Sequence, residues 1–151
     1  MSPDSSHILG RDEIEQRIPH RGPMLLVDDV VEMSEERIVC RKTFRPDEHF
    51  FDGHYPDHPL VPGVILCEAS MQAGAILLSQ FELTGVPVAT RMNDVRFRKM
   101  VHPGDTIQME VQLSERLANA FFMKAKVTRD SDTVMRCEFA CTAAAPDGEN
   151  S

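Results

Sequence analysis

The chain has 151 residues, 42% of them hydrophobic, and a formal net charge of −8. That size and composition fit one globular domain spanning 1–151, and the acidic balance argues against nucleic-acid binding, where clustered basic residues supply the affinity. The opening MSPDSSHILG lacks the apolar core of a signal peptide. The expectation is therefore a cytoplasmic protein whose cysteines, Cys40, Cys67, Cys137 and Cys141, stay reduced. Their spacing has neither a zinc pattern nor a thiol-nucleophile signature.

Residues 1–6 and the acidic tail 145–151 are expected to be flexible ends. Asp12 is expected to cap a short helix running through Arg17, with Glu13 near the positive end of its dipole. Two prolines within Ile18-Pro19-His20-Arg21-Gly22-Pro23 then predict a rigid loop. Met24 to Met33 reads as a strand with Leu25, Val27, Val31 and Met33 on one face. Ser34-Glu35-Glu36 turns the chain into a second strand, Arg37 to Arg45, with Ile38, Cys40 and Phe44 inward.

The stretch from Phe50 to Phe81 is different in kind. A loop rich in His, Pro and Gly feeds a helix that begins near Gly63 or Val64, where a preceding Pro is tolerated because the first helical N–H groups lack partners anyway. Nearly every position from Val64 to Leu78 is apolar or small, and a helix apolar all round is a buried one. Its length, about eighteen residues, approaches a membrane span. Glu68, Ser70, Gln72 and two glycines argue against a bilayer. Glu68 and Gln72, four apart, share a face.

After Thr84-Gly85 the period changes. Val86 to Lys99 carries β-branched residues and ends in the basic run Arg96-Phe97-Arg98-Lys99, and His102-Pro103-Gly104-Asp105 turns. Ile107, Met109, Val111 and Leu113 then alternate with polar residues; Phe121, Met123, Ala125 and Val127 repeat the pattern, as do Met135, Cys137, Phe139 and Cys141. Two strands, one apolar helix and four strands predict an α+β domain, an antiparallel sheet curved around the helix. Sheet edges left bare by that arrangement favour dimers.

Chemistry concentrates in the loop and the helix. Burial of Glu68 would favour its protonated form; a structural carboxylate tied to Gln72 or to loop amides is the plainer alternative. His49, His54 and His58 lie close together, but H-x4-H-x3-H in a proline-rich loop is not a usual metal-ligand spacing. Of the three, His54 stands between Gly53 and Tyr55-Pro56, where the backbone is expected to bend unusually and hold the ring. A fixed imidazole can act as a base near neutral pH. No Gly-rich nucleotide motif occurs.

The segments PHRGPMLLVD at 19–28, F-x-GHYP at 51–56, HP-x-x-PGV at 58–64, EA-x-x-Q at 68–72 and PGD at 103–105 resemble the FabZ-like 3-hydroxyacyl-acyl-carrier-protein dehydratases. These are hotdog-fold enzymes of fatty-acid synthesis, and the resemblance covers about Ile18 to Thr142. Tyr55 stands where the family usually has Phe, and Ser70-Met71 where it usually has Met-Ala. The related dehydratase/isomerases usually carry Asp at the position of Glu68, so Glu68 favours the plain dehydratase. The resemblance implies a hotdog fold, a catalytic pair of His54 and Glu68 contributed by different protomers, and a thioester carbonyl at the Gly63 N–H. It implies no metal or cofactor.

Gly63, Val64 and Gln72 are then expected to line the substrate, and Arg96, Arg98 and Lys99 to dock an acidic acyl-carrier protein. A homodimer, or a trimer of such dimers, is expected, with no nucleic-acid or membrane partner. A hotdog thioesterase and a non-catalytic acyl-carrier-binding subunit are the alternatives.

Overall fold

The computed structural model describes residues 7–83 and 85–144; the ends expected to be flexible lie outside them. In chain order the elements are α1 (Arg11–Arg17), β1 (Asp29–Met33), β2 (Arg37–Thr43), a 3-10 turn (His49–Phe51), α2 (Gly63–Leu78), β3 (Val86–Phe97), β4 (Thr106–Leu117), β5 (Ala120–Arg129) and β6 (Asp132–Ala144). The six strands form one antiparallel sheet in the order β1-β2-β4-β5-β6-β3. It wraps α2, which packs on all the strands from β2 to β6. This is the expected α+β hotdog architecture.

The alternation read from the sequence sets the inward face. Ile107, Met109, Val111, Phe121, Met123, Val127, Met135, Cys137 and Phe139 are all buried against the helix side. Leu113 is only half-buried, because β4 bulges between Leu113 and Glu115. Facing them, α2 buries Leu66, Ala69, Ala73, Gly74, Ile76 and Leu77. A Cβ on Gly74 would stand 2.9 Å from the Phe139 ring, so the helix approaches the sheet more closely there than any other residue allows.

Three local expectations need correction. Gly10, not Asp12, caps α1, and Glu13 Oε1 accepts its N–H at 3.1 Å. Strand β1 begins at Asp29 rather than Met24. Leu25, Leu26 and Val27 are buried three in a row, because their segment hydrogen-bonds to a helix side chain instead of a neighbouring strand: Leu26 N–H donates to Gln72 Oε1 at 2.8 Å. Within β1 a bulge between Val30 and Glu32 turns Val30 inward and leaves Val31 half-buried. Finally, α2 is not covered all round. Val64 is 73% exposed, and Glu68, Met71 and Ala75 are half-buried. These positions fall at i, i+4, i+7 and i+11, one stripe of the helix that its own sheet leaves open.

Candidate active site

The open stripe carries Glu68. Gln72, one turn on and 1% exposed, holds the carboxylate in place. Its Nε2 donates to Glu68 Oε2 at 2.9 Å and to Met24 O at 2.7 Å, while its Oε1 accepts from Leu26. Both amide hydrogens are thus committed inside the chain, so Gln72 holds Glu68 while also lining the cavity beside it. Because the amide nitrogen can only donate, Oε2 is the accepting oxygen, and a proton on Glu68 belongs on Oε1. The Glu68 side chain is 28% exposed, so it is half-buried, not sealed in the core as a helix without a free face would require.

A cavity of about 230 Å³ stands over this carboxylate, lined by His20, Met71, Ala75, Pro87, Val88 and Cys141 among others. Burial pushes the Cys141 thiol up to about 11, so at neutral pH it is an uncharged part of the apolar wall and a poor nucleophile. From sequence, His20 belongs to a rigid loop and to the PHRGPMLLVD motif, with no role of its own. The structure brings its Nε2 to 3.6 Å from Glu68 Oε2 and leaves its Nδ1 buried without a hydrogen-bond partner. Arg21 clamps that loop by donating to the carbonyls of Ile18, His20 and Glu15. The available signal was the PHRGP segment itself, with a His next to an Arg able to tie down its backbone.

His54 is half-buried, and its Nδ1 lies 3.1 Å from Leu60 O. A carbonyl only accepts, so Nδ1 carries a hydrogen, and in the neutral ring the lone pair lies on Nε2. The unusual backbone conformation next to the ring sits at Tyr55, with φ 52°. The Tyr55 ring meets the His54 ring edge-on at 4.7 Å between centroids. Hydrogen bonds from His58 N–H to Tyr55 O and from Val61 N–H to Val101 O fix the rest of the loop. His54 is not among the residues lining the cavity over Glu68.

Gly63 opens α2 after Pro62, so its N–H has no intrahelical acceptor and points out of the positive end of the dipole. A Cβ at Gly63 would lie 2.8 Å from the Phe97 ring, so a larger residue there would push that exposed ring aside. Val64 stands exposed beside it. The three basic residues at the end of β3 are exposed. Arg96 pairs with Asp94 at 3.6 Å and Lys99 with Asp132 at 3.3 Å. Arg96 also shares a groove with Lys124 and Arg136.

Among the described residues, no helix is long and apolar enough to cross a membrane. The four cysteines are free and buried.

Comparison with known proteins identifies the family. The family model described as FabA-like domain matches residues 18–138. The 3-hydroxyacyl-[acyl-carrier-protein] dehydratase FabZ of Clostridium perfringens is 45% identical over 121 residues, covering 79% of this chain and 87% of that protein. Its counterpart from Oenococcus oeni is 42% identical over 134 residues, covering 87% of this chain and 92% of that protein. Among solved structures, the dehydratase heterocomplex ApeI:P from Xenorhabdus doucetiae superposes with a TM-score of 0.76 at 14% identity, over 88% of this chain and 91% of that one; at that identity the likeness is one of fold. The match along nearly the whole domain and the identity to named relatives place the chain in the FabA-like family, among its FabZ dehydratases.

Proposed function

We propose that this protein dehydrates 3-hydroxyacyl thioesters carried on an acyl-carrier protein to trans-2-enoyl thioesters, as a step of fatty-acid or related lipid synthesis. The observation that carries this reading is a carboxylate held by Gln72 on the one open stripe of an otherwise buried helix, under an apolar cavity. In the proposed reaction His54 Nε2 takes a proton from C2. Charge then develops on the thioester oxygen, where the Gly63 N–H and the α2 dipole stabilise it. The C2=C3 double bond forms as the C3 hydroxyl leaves with the proton of Glu68 Oε1, as water. One proton is gained by His54 and one lost by Glu68, so the pair resets by a single net transfer between them.

The site works across a homodimer in this reading, with His54 of one protomer facing Glu68 of the other. Two observations support it: His54 does not line the cavity over its own Glu68, and β3 is an edge strand along which only Pro87, Met92 and Val95 are half-buried and every other side chain is exposed. Exposed Val64, Val86, Val88 and Phe97 supply apolar area for such a contact. Arg96, Arg98 and Lys99 dock the acidic carrier. Free buried thiols fit a cytoplasmic setting.

The test is incubation with a 3-hydroxybutyryl thioester. Formation of the enoyl thioester supports the proposal. Release of free thiol would make the protein a thioesterase instead, and no turnover would leave a carrier-binding subunit.

A further inference from the structure

His20 stands against the Glu68 carboxylate, and the proposed chemistry gives it no task. Its side chain is 29% exposed, in the wall of the cavity over Glu68. Among the described residues neither ring nitrogen makes a hydrogen bond. Nδ1 is buried without a partner, and Nε2 stops 3.6 Å from Glu68 Oε2, beyond hydrogen-bond range. A buried polar atom left unpaired costs free energy. Nor does the loop need the ring to hold it. Arg21 clamps the carbonyls of Glu15, Ile18 and His20, and Gln72 bonds to the backbone of Met24 and Leu26. The fold thus keeps an imidazole beside Glu68 at a cost and gains no hydrogen bond from it.

The tautomer follows from the same two contacts. A neutral imidazole carries one hydrogen. On Nδ1 that hydrogen would be a buried donor with no acceptor, and the Nε2 lone pair would face a carboxylate oxygen. On Nε2 it faces Glu68 Oε2, which accepts from Gln72 at 2.9 Å and has a further lone pair to offer. The hydrogen of the neutral ring therefore belongs on Nε2, directed at Glu68.

We propose that His20 is a positioning residue for the acid of the dehydration, its Nε2–H closing on Glu68 Oε2 as Oε1 releases its proton. The inference rests on the dehydratase reading and assigns that site a further residue. No proton moves in the contact itself: the Oε1–H bond breaks toward the departing hydroxyl, and His20 keeps its hydrogen. Negative charge then spreads over both carboxylate oxygens, and a donor to a charged acceptor sits closer and binds about twice as strongly as to a neutral one. Closing from 3.6 Å to a charge-assisted length of about 2.8 Å needs less than an ångström of travel. Gln72 already bonds Oε2 and fixes which oxygen bears the proton. His20 adds a contact that strengthens only as the acid ionises, and such contacts raise kcat rather than tighten substrate binding. With both donors on Oε2, Oε1 stays free for the substrate.

The experiment measures kcat and KM on a 3-hydroxybutyryl thioester for the wild type, His20→Leu, His20→Gln, Glu68→Gln and the double variant His20→Leu with Glu68→Gln. Thermal unfolding checks that each is folded. Gln carries an amide N–H to the place of Nε2–H but is no proton carrier near neutral pH, whereas Leu keeps only the bulk. His20→Leu should lower kcat by roughly tenfold to a hundredfold and leave KM within about twofold. His20→Gln should recover most of that loss. On top of Glu68→Gln, His20→Leu should cost nothing more, because a residue acting through Glu68 has nothing left to act on. A wild-type kcat in His20→Leu overturns the proposal, as does a loss confined to KM. His20→Gln as impaired as His20→Leu also overturns it, by making His20 a proton carrier. So does an equal further loss in the double variant, which would make His20 a piece of cavity wall with no tie to the acid. If His20→Leu does not fold, His20→Asn, whose amide reaches only the Nδ1 position, takes its place with the same outcomes. A wild type without turnover defeats the dehydratase reading, and a Glu68→Gln variant at near-full rate defeats its acid; either takes this inference with it.

Discussion

Two side chains with opposite requirements meet in the proposed chemistry. His54 needs an unprotonated ring nitrogen, and Leu60 O, by accepting the hydrogen at Nδ1, makes Nε2 that nitrogen in the neutral ring. Glu68 needs a proton on a defined oxygen, and Gln72 supplies that by donating to the other. Neither arrangement depends on a metal. The expected outcome for His54→Ala and for Glu68→Gln is a loss of turnover of at least about a hundredfold each, as for other general acid–base groups. Thermal unfolding should stay near wild type, since His54 and Glu68 both lie outside the buried core. A variant keeping near-full rate would remove its residue from the mechanism.

At the scale of elements, α2 and β3 divide the work. The helix presents a closed face to the sheet and an open stripe, the proposed substrate side, on the other, and a Cβ on its first residue would displace the exposed Phe97 ring of β3. The end of β3 carries the proposed docking charges. The Arg96–Asp94 and Lys99–Asp132 pairs are solvent-exposed, and exposed pairs contribute little, about 0–1 kcal/mol. An acidic partner can therefore displace their acids at small cost. Reversing Arg96 and Arg98 together to Glu should raise KM for a carrier-bound substrate and weaken its salt dependence. A small soluble thioester should be unaffected. Steady-state kinetics on the two substrates checks this, and equal losses on both, or none, would move the docking surface elsewhere.

For the whole molecule the decisive question is which chain supplies which half of the pair. A two-fold dimer would build two equivalent sites at its interface, and β3, exposed along its free edge, is where such an interface would form. Mixing inactive His54→Ala with inactive Glu68→Gln, after dissociation and reassociation, tests it. In a shared site each mixed dimer holds one doubly defective and one intact site. Random pairing makes about half the dimers mixed, so about a quarter of wild-type sites should return. No recovery after verified subunit exchange would place both residues in one chain, leaving the dehydratase assignment intact.

Strand alternation in β4, β5 and β6, the apolar run of α2 and the punctuation by Pro, Gly and Asp are local patterns. Sequence by itself therefore determined the element order and the α+β class. It also carried the family, through motifs spread from Pro19 to Asp105. What tertiary structure alone decided is where polar groups find partners and which surfaces go uncovered. The segment 24–28 looks like strand because it is apolar, yet its backbone bonds to Gln72, 46 and 48 residues away, and no local pattern encodes that pairing. The stripe through Val64, Glu68, Met71 and Ala75 looks buried because it is apolar around its acid. It is open because the sheet of the same chain covers only the opposite face of the helix, where Leu66, Ala69, Ala73, Ile76 and Leu77 are buried. His20 reaches Glu68 for the same kind of reason: the two are neighbours only after a loop before the sheet folds back over a helix beyond its second strand.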